Sequence, residues 1–183
     1  MAVRIKLTQL RFERSPEAIQ WVQTRQTRLQ FTSGIEKGSK QVGLALAQRV
    51  AGDTAHAKAD AEQARNTLES LKKDQPDNAF VAAALAVAYA ILDKKDSALN
   101  EAQRTITLLP SNKDRLSGPA FEENLALVEM IIGENSRAIS TLTRLLRLYS
   151  PTPITPALLR LDPIWDPLRA DPVFQKLCEE KQP

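Results

Sequence analysis

The sequence AAALAVAY at residues 82–89 is followed by a polar turn, DKKD at residues 93–96, and then by SALNEAQRTITLLP at residues 97–110. Apolar residues recur every three to four positions in both halves, a spacing that places them on one face of a helix. Small side chains at Ala86 and Ala98 allow the two halves to approach closely where they would cross. The stretch therefore predicts a hairpin of two antiparallel helices.

The same arrangement recurs on both sides of this stretch, with a leucine in the first helix and an alanine in the second. These markers are Leu44, Leu85 and Leu125, and Ala57, Ala98 and Ala138. The leucine set and the alanine set recur at the same pair of intervals. Two independent markers with one period predict three consecutive hairpins and an all-α fold.

The order Leu85-Ala86, Tyr89, Ala98 and Pro110 resembles a tetratricopeptide repeat, whose signature is a Leu-Gly pair, a Tyr, an Ala and a closing Pro at about these separations. The resemblance implies a right-handed solenoid of antiparallel helix hairpins, with about three repeats. It also implies a non-catalytic module that binds proteins or peptides. In such arrays the first helix of each repeat lines a concave groove.

Three positions of the central hairpin depart from this pattern. Ala86 stands where the family usually has Gly, and Ala102 and Thr105 replace its usual aromatic residue and Ala. The period also exceeds the family's usual length of about 34 residues. We expect the extra residues, roughly six per unit, in a lengthened second helix after Asp53 and in the polar loop at residues 111–118.

The C-terminal region has a different character, because Thr-Pro and Asp-Pro pairs recur at 155–156, 162–163, 166–167 and 171–172. Each pair joins a helix-capping residue to a proline suited to the first helical position, which predicts short helices in succession. The run from Pro153 to Leu177 closely resembles the ends of bacterial signalling proteins. In those proteins a tetratricopeptide-like array follows an effector domain such as a serine/threonine kinase, a nucleotide cyclase or a winged-helix regulator.

Four large apolar residues in this region would cover the open end of the last hairpin, because a solenoid needs a closing cap to remain soluble. They are Trp165, Leu168, Phe174 and Leu177.

We therefore divide the chain into an N-terminal tail and capping helix (1–33), three hairpins (34–150) and a C-terminal cap of short helices (151–183). The hairpins are expected at residues 34–78, 79–118 and 119–150. In the N-terminal part, Ser15-Pro16-Glu17 starts a predicted helix that runs to about Phe31. This helix either caps the array or is the second helix of a unit whose first helix was lost by excision from a longer protein.

Composition bounds the class of protein. Hydrophobic residues make up 43% of the chain and charged residues 26%, as in folded soluble domains. No apolar run reaches the length of a membrane span, and the start of the chain lacks the apolar core of a signal peptide. One cysteine, Cys178, permits no internal disulfide. We expect a cytoplasmic protein, or a periplasmic one if the chain follows a membrane span in a longer parent.

Catalytic residues are scarce. His56 is the only histidine in the sequence. A zinc site with paired histidine ligands is therefore excluded, and the sequence offers no conventional Ser-His or Cys-His couple. The sequence also lacks the glycine-rich loops that cradle phosphate groups. We therefore expect no enzymatic activity, no metal and no cofactor.

The N-terminal third is basic, with nine Lys or Arg and three Glu in residues 1–52. Arg14, Arg25 and Arg28 are interleaved with Trp21 and Phe31, and clustered positive charge with stacking aromatics suits a nucleic-acid backbone. A nucleic-acid-associated module is thus the alternative function. The aromatic residues are equally explained as packing residues of an amphipathic helix.

The resemblance also places eleven residues on the concave groove, which would be mostly apolar. They are Val42, Leu46 and Arg49, then Phe80, Ala83, Val87 and Ile91, then Glu123, Leu127, Met130 and Ile131. An exposed apolar groove suits an amphipathic helix or peptide, or a second copy of the chain in a homodimer. Alternatively, the N-terminal helix or the C-terminal cap fills the groove from within the chain.

Overall fold

A computed structural model describes residues 33–148 and 154–180, and within these ranges the chain is helical with no strand. The elements are α1 (Gly34–Val50), α2 (Thr54–Asp74), α3 (Ala79–Ile91), α4 (Lys95–Leu108), α5 (Gly118–Ile131), α6 (Asn135–Leu145), α7 (Pro156–Leu161), a 3₁₀ helix (Pro163–Leu168) and α8 (Pro172–Glu179). The all-α prediction is confirmed for this part of the chain. The helix predicted at residues 16–31 lies outside it.

Consecutive helices pack as hairpins, in which α1 pairs with α2, α3 with α4 and α5 with α6. Neighbouring hairpins contact each other through α2 and α3 and through α4 and α5. The first helices also touch in series, α1 on α3 and α3 on α5. The hairpins therefore stack in chain order, and α3 contacts four other helices of the described ranges.

The composition of α3 explains its central place. Every residue from Val81 to Ile91 is buried except Ala84 and Tyr89, which are half-buried. A helix that is apolar on all sides is stable only when other elements cover all of its faces. Ala86 and Ala98 are both fully buried, in keeping with the close crossing predicted for them.

One turn geometry ends the first helix of every hairpin. The residue that reverses the chain has positive φ in each case: 84° at Gly52, 59° at Asp93 and 90° at Gly133. The next residue donates its amide to the carbonyl five positions earlier, at 2.9 Å in the first two turns and 2.8 Å in the third. This is the Schellman pattern of helix C-termini. The three turns recur at the same intervals as the leucine and alanine markers of the sequence.

The carbonyls that accept these amides belong to Gln48, Tyr89 and Glu129, whose side chains also reach neighbouring helices. Gln48 is fully buried and donates from Nε2 to Asp60 Oδ2 at 2.8 Å. At the equivalent places in the third hairpin, Thr141 donates to Glu129 Oε2 at 3.0 Å. The first and third hairpins thus each have a polar contact between their two helices at this pair of positions, although the donor lies on α1 in the first and on α6 in the third.

The central hairpin uses a different bond at this place. The Tyr89 hydroxyl donates to Glu69 Oε1 of α2 at 2.7 Å, and so links α3 to the preceding hairpin. Burial, followed by the hydrogen bond to Glu69, raises the pKa of Tyr89 well above its ordinary value. The hydroxyl is therefore protonated at physiological pH and can act as the donor.

The C-terminal cap follows the predicted capping chemistry at three of its four pairs. Thr155, Asp162 and Asp171 accept hydrogen bonds from amides at the starts of α7, the 3₁₀ helix and α8. Asp166-Pro167 was expected to start a fourth helix but lies inside the 3₁₀ helix, so this prediction was wrong. The φ that proline fixes also suits a 3₁₀ helix, and one missing amide does not end it.

The cap packs against the last hairpin, as expected. The 3₁₀ helix contacts α5, and α8 contacts α6. All four large apolar residues of the predicted cap are buried, and none is more than 4% exposed. They belong to the same hydrophobic cluster as the hairpins.

Two boundaries in the hairpins are informative. The long second helix predicted after Asp53 extends from Thr54 to Asp74, and Asp53 caps it by accepting the amide of His56. The third hairpin is predicted to span residues 119–150, and its second helix, α6, ends at Leu145. The amides of Arg147 and Leu148 bond to carbonyls three residues earlier, which tightens the last turn and closes the helix.

Replacement of Gly52 or Gly133 by alanine tests the shared turn. Each change should lower the free energy of unfolding by about 1–2 kcal/mol, because a Cβ is unfavourable at positive φ. Denaturant unfolding followed by circular dichroism measures the difference. Ser140→Ala, at an exposed helical position, serves as the control. Equal stability of the glycine variants and the control would contradict the turn assignment.

The buried Glu129 predicts a pH effect. Burial raises its pKa, although the Thr141 hydrogen bond and Arg137 act in the opposite direction. The folded state therefore binds the proton more tightly than the unfolded state, and ionised Glu129 lowers stability near neutral pH. Glu129→Gln should be more stable than the original chain near pH 7, and this gain should vanish as the pH falls towards about 4.

Chemical unfolding at a series of pH values measures this gain, with the exposed Glu180→Gln as control. The assignment fails if the advantage of Glu129→Gln grows as the pH falls.

Candidate functional site

The first helices of the three hairpins, α1, α3 and α5, carry all eleven residues predicted to line the groove. Arg49 and Phe80 are exposed, while Leu46 and Glu123 are half-buried. The other seven are buried: Val42, Ala83, Val87, Ile91, Leu127, Met130 and Ile131. Most of the apolar surface expected to be open is therefore covered within the chain.

The C-terminal cap accounts for part of this cover. The 3₁₀ helix contacts α5, and its residues Ile164 and Trp165 are only 4% and 2% exposed. They belong to one hydrophobic cluster with Val87, Ile91 and Met130. Of the two internal occupants considered from the sequence, the structure thus brings the cap into the cluster formed by the groove residues.

A cleft of about 280 Å³ remains between the end of α1, α5 and the 3₁₀ helix. Its apolar walls come from three elements: Leu46 and Val50, Met130 and Ile131, and Pro163 and Ile164. The cleft has room for a few side chains but is at the small end of ligand-binding pockets. Within the described ranges, this cleft is a part of the predicted groove that stays open.

The charges at this cleft are unevenly matched. Arg49 lies at its border and forms no ion pair within the part of the chain that the structure describes. Asp166, on the opposite wall, accepts from Arg169 Nε at 2.6 Å. The Thr54 hydroxyl adds a neutral polar group. Among the described residues that line the cleft, Arg49 is therefore an accessible cation beside an apolar surface.

A second exposed region, the aromatic edge, lies around Phe80 near the start of α3. Phe80 is 55% exposed, and its ring meets that of buried Phe121 edge to face, with centroids 5.2 Å apart. Leu116, in the loop before α5, is 63% exposed. A half-covered ring held by a second ring is a suitable anchor for a protein partner, because aromatic contacts dominate many interfaces.

The groups considered for catalysis are placed apart. His56 is exposed, and its Nδ1 lies 2.8 Å from Asp53 Oδ2. Burial raises the pKa of Cys178, although Arg169 and Arg160 oppose this rise. The thiol is therefore protonated near neutral pH and a poor nucleophile. Within residues 33–148 and 154–180, no three His, Cys, Asp or Glu side chains are grouped so as to bind a metal.

The basic residues of the alternative function, Arg14, Arg25 and Arg28, lie outside the described residues. No helix in the described ranges is both long and apolar enough to cross a membrane. Comparison of the chain with protein-family models, curated proteins and solved structures found no match.

Sequence reasoning missed the part played by the 3₁₀ helix at the groove. Trp165 was recognised as a cap residue, but Pro163 and Ile164 were not connected with α1 or α5. A usable signal was present, since Ile164-Trp165 is an apolar pair between two prolines in a polar region. Its burial site could not be read from spacing, because the contact joins residues far apart in the chain.

Truncation of Trp165 tests how firmly the 3₁₀ helix is attached to the rest of the chain. Trp165→Ala should lower the free energy of unfolding by about 3–5 kcal/mol, as is usual for a large buried aromatic residue. Leu158→Ala provides a control in the same cap, because Leu158 is 43% exposed. Urea unfolding followed by far-UV circular dichroism gives both values. A cost for Trp165→Ala no larger than that for Leu158→Ala would show that the cap is loosely attached.

Proposed function

We propose that this chain is a tetratricopeptide-like module, a right-handed solenoid of three hairpins that binds a protein partner and performs no catalysis. The observation that carries the proposal is the shared turn at Gly52, Asp93 and Gly133, which recurs at the period of the leucine and alanine markers. Recurrence of one turn at one period is typical of a repeat array, in which each unit packs only on its neighbours.

Stacked repeats support binding because they align their first helices along one extended face. On this face Arg49 and Phe80 are exposed, and Leu46 and Glu123 are half-buried. A partner would therefore contact the open cleft and the aromatic edge rather than the whole apolar groove. A helix or peptide that presents an apolar side chain and a carboxylate would match the cleft and Arg49.

The cellular role proposed is that of a sensory or scaffolding part of a bacterial signalling protein. It rests on the resemblance of the region from Pro153 to Leu177 to the ends of such proteins, and not on any match to a known protein. The cytoplasm is the compartment proposed. Cys178 is buried, and the raised pKa of its thiol makes it a poor nucleophile near neutral pH.

Site-specific photocrosslinking tests this function. A photoreactive benzoylphenylalanine placed at Phe80 of the whole chain should give a discrete protein adduct in bacterial cells, because this ring is exposed on the binding face. The matched position is Ser140, which is exposed on α6. Arg49→Glu should weaken the adduct at position 80, since it reverses the accessible charge on the same face.

The outcomes separate the alternatives. An adduct of twice the chain's mass, together with a dimer in light scattering, would identify a second copy as the partner. An adduct removed by nuclease would overturn the protein-binding proposal in favour of nucleic acid. Equal adducts at positions 80 and 140, or none at position 80, would also overturn it.

A further inference from the structure

A second and larger cleft, of about 530 Å³, lies at the junction between the second and third hairpins. Ile106, Pro110 and Leu148 form much of its apolar wall, and Asn112, Arg115 and Arg144 provide hydrogen-bond donors. It lies apart from the cleft beside Arg49, with which it shares no lining residue. Its volume is within the range of small-molecule sites.

The preceding junction, between the first and second hairpins, has a shorter connection and a different pattern of bonds. Residues 75–78 join α2 to α3, and Arg104 of α4 donates to the carbonyl of Pro76 in that short loop. Arg104 also lies 3.6 Å from Asp77 and 3.6 Å from Glu101. Arg104 is thus held by groups of the loop and by Glu101 of its own helix.

Arg144 is the equivalent of Arg104 in α6, because it follows the marker Ala138 at the distance at which Arg104 follows Ala98. Here the connection is longer, since residues 109–117 join α4 to α5. Arg144 bonds to Glu122 of α5 instead of the loop, and its side chain remains 54% exposed at the cleft. Arg144 therefore makes none of the loop contacts that Arg104 makes in the preceding junction, and it borders the cleft instead.

The loop is held in a defined shape. Asp114 Oδ1 accepts the amides of Leu116 at 2.8 Å and Ser117 at 2.9 Å. Gly118 lies against the other end of the loop, where an added Cβ would collide with the backbone of Ser111. Only glycine permits this approach, so the start of α5 and the start of the loop stay together. The walls of the cleft are formed before any ligand binds.

The charges are also arranged in advance. Glu122 has a side chain only 7% exposed, and it accepts from both Ser111 and Arg144. This bonding fixes one end of the Arg144 guanidinium and leaves its other donors at the cleft. Arg115 is exposed and forms no ion pair within the described residues. Among the described residues, Arg115 and Arg144 therefore border the cleft, and the buried carboxylate of Glu122 neutralises only part of their charge.

We propose that this cleft binds a small anion with an apolar body, held by Arg115 and Arg144. Guanidinium groups recognise oxyanions through paired hydrogen bonds, and Asn112 adds a neutral donor. The apolar body would lie on Ile106 and Leu148. The shared chemistry is an oxyanion joined to a ring or short hydrocarbon, whether the oxyanion is a phosphate ester or a carboxylate.

Isothermal titration of the whole chain tests the proposal with four probes. Phenyl phosphate and phenylacetate carry both features, inorganic phosphate carries charge alone, and benzyl alcohol carries the ring alone. At least one ring-bearing anion should bind saturably and about tenfold more tightly than inorganic phosphate, because the ring adds buried apolar area. Whichever of these two anions binds more tightly shows whether the site prefers a phosphate or a carboxylate. Benzyl alcohol should not bind.

The variants locate the site. Arg115→Gln should weaken binding of that anion about tenfold through loss of a charge-assisted contact, without disturbing the fold. Arg144→Gln should also weaken it, but leaves Glu122 without its charged partner, so Arg115→Gln is the decisive variant. Lys95→Gln, an exposed cation at the far end of α4, is the matched control.

Three results would overturn the proposal. The first is the absence of saturable binding by either ring-bearing anion. The second is equal binding of benzyl alcohol, which would show that the arginines are not used. The third is an affinity that Arg115→Gln leaves unchanged or that Lys95→Gln lowers equally, which would indicate general attraction to a basic surface.

Discussion

The reversal of the chain at a residue with positive φ is the constraint on which the hairpins depend. Gly52, Asp93 and Gly133 each let the chain turn within a few residues, so that the second helix returns directly along the first. The turn also fixes which residues face the partner helix. A longer turn would displace one helix along the other, so that the small buried residues of the two helices would no longer face each other.

The residue whose carbonyl completes each turn is also a point of side-chain recognition. Gln48, Tyr89 and Glu129 make polar contacts with neighbouring helices from mostly apolar surroundings. Such contacts add little net stability, since burial of polar groups is unfavourable, but a wrong alignment would leave them without partners. We therefore interpret them as determinants of helix register. The direction of the Tyr89 bond, towards the preceding hairpin, also aligns neighbouring units.

Local patterns explain how much of this architecture could be predicted from the sequence. The leucine and alanine markers identify the hairpins because each hairpin packs its two helices in the same way. The same residue types therefore recur at a regular spacing in the sequence. Asp53, Thr155, Asp162 and Asp171 were recognisable as caps for the same reason, since each bonds within three residues. The burial of Val87 and Met130 was not predictable in this way. It depends on contacts with residues far along the chain.

The candidate sites show the same limit. The face that carries Arg49 and Phe80 follows from helical period, but its partial closure by the 3₁₀ helix depends on tertiary packing. The cleft beside Arg115 was invisible for a different reason. The sequence shows a longer polar loop at residues 111–118, yet it does not show that Arg104 bonds to its loop while Arg144 bonds to Glu122.

The position of the 3₁₀ helix also bears on cooperativity. In an open array, units at opposite ends communicate only through those between them, and terminal units can unfold separately. Here the 3₁₀ helix contacts α5 and borders a cleft with the end of α1, and the cap residues share one hydrophobic cluster with the hairpins. Under mechanical load the cap should therefore come away together with the third hairpin, and not as a separate unit.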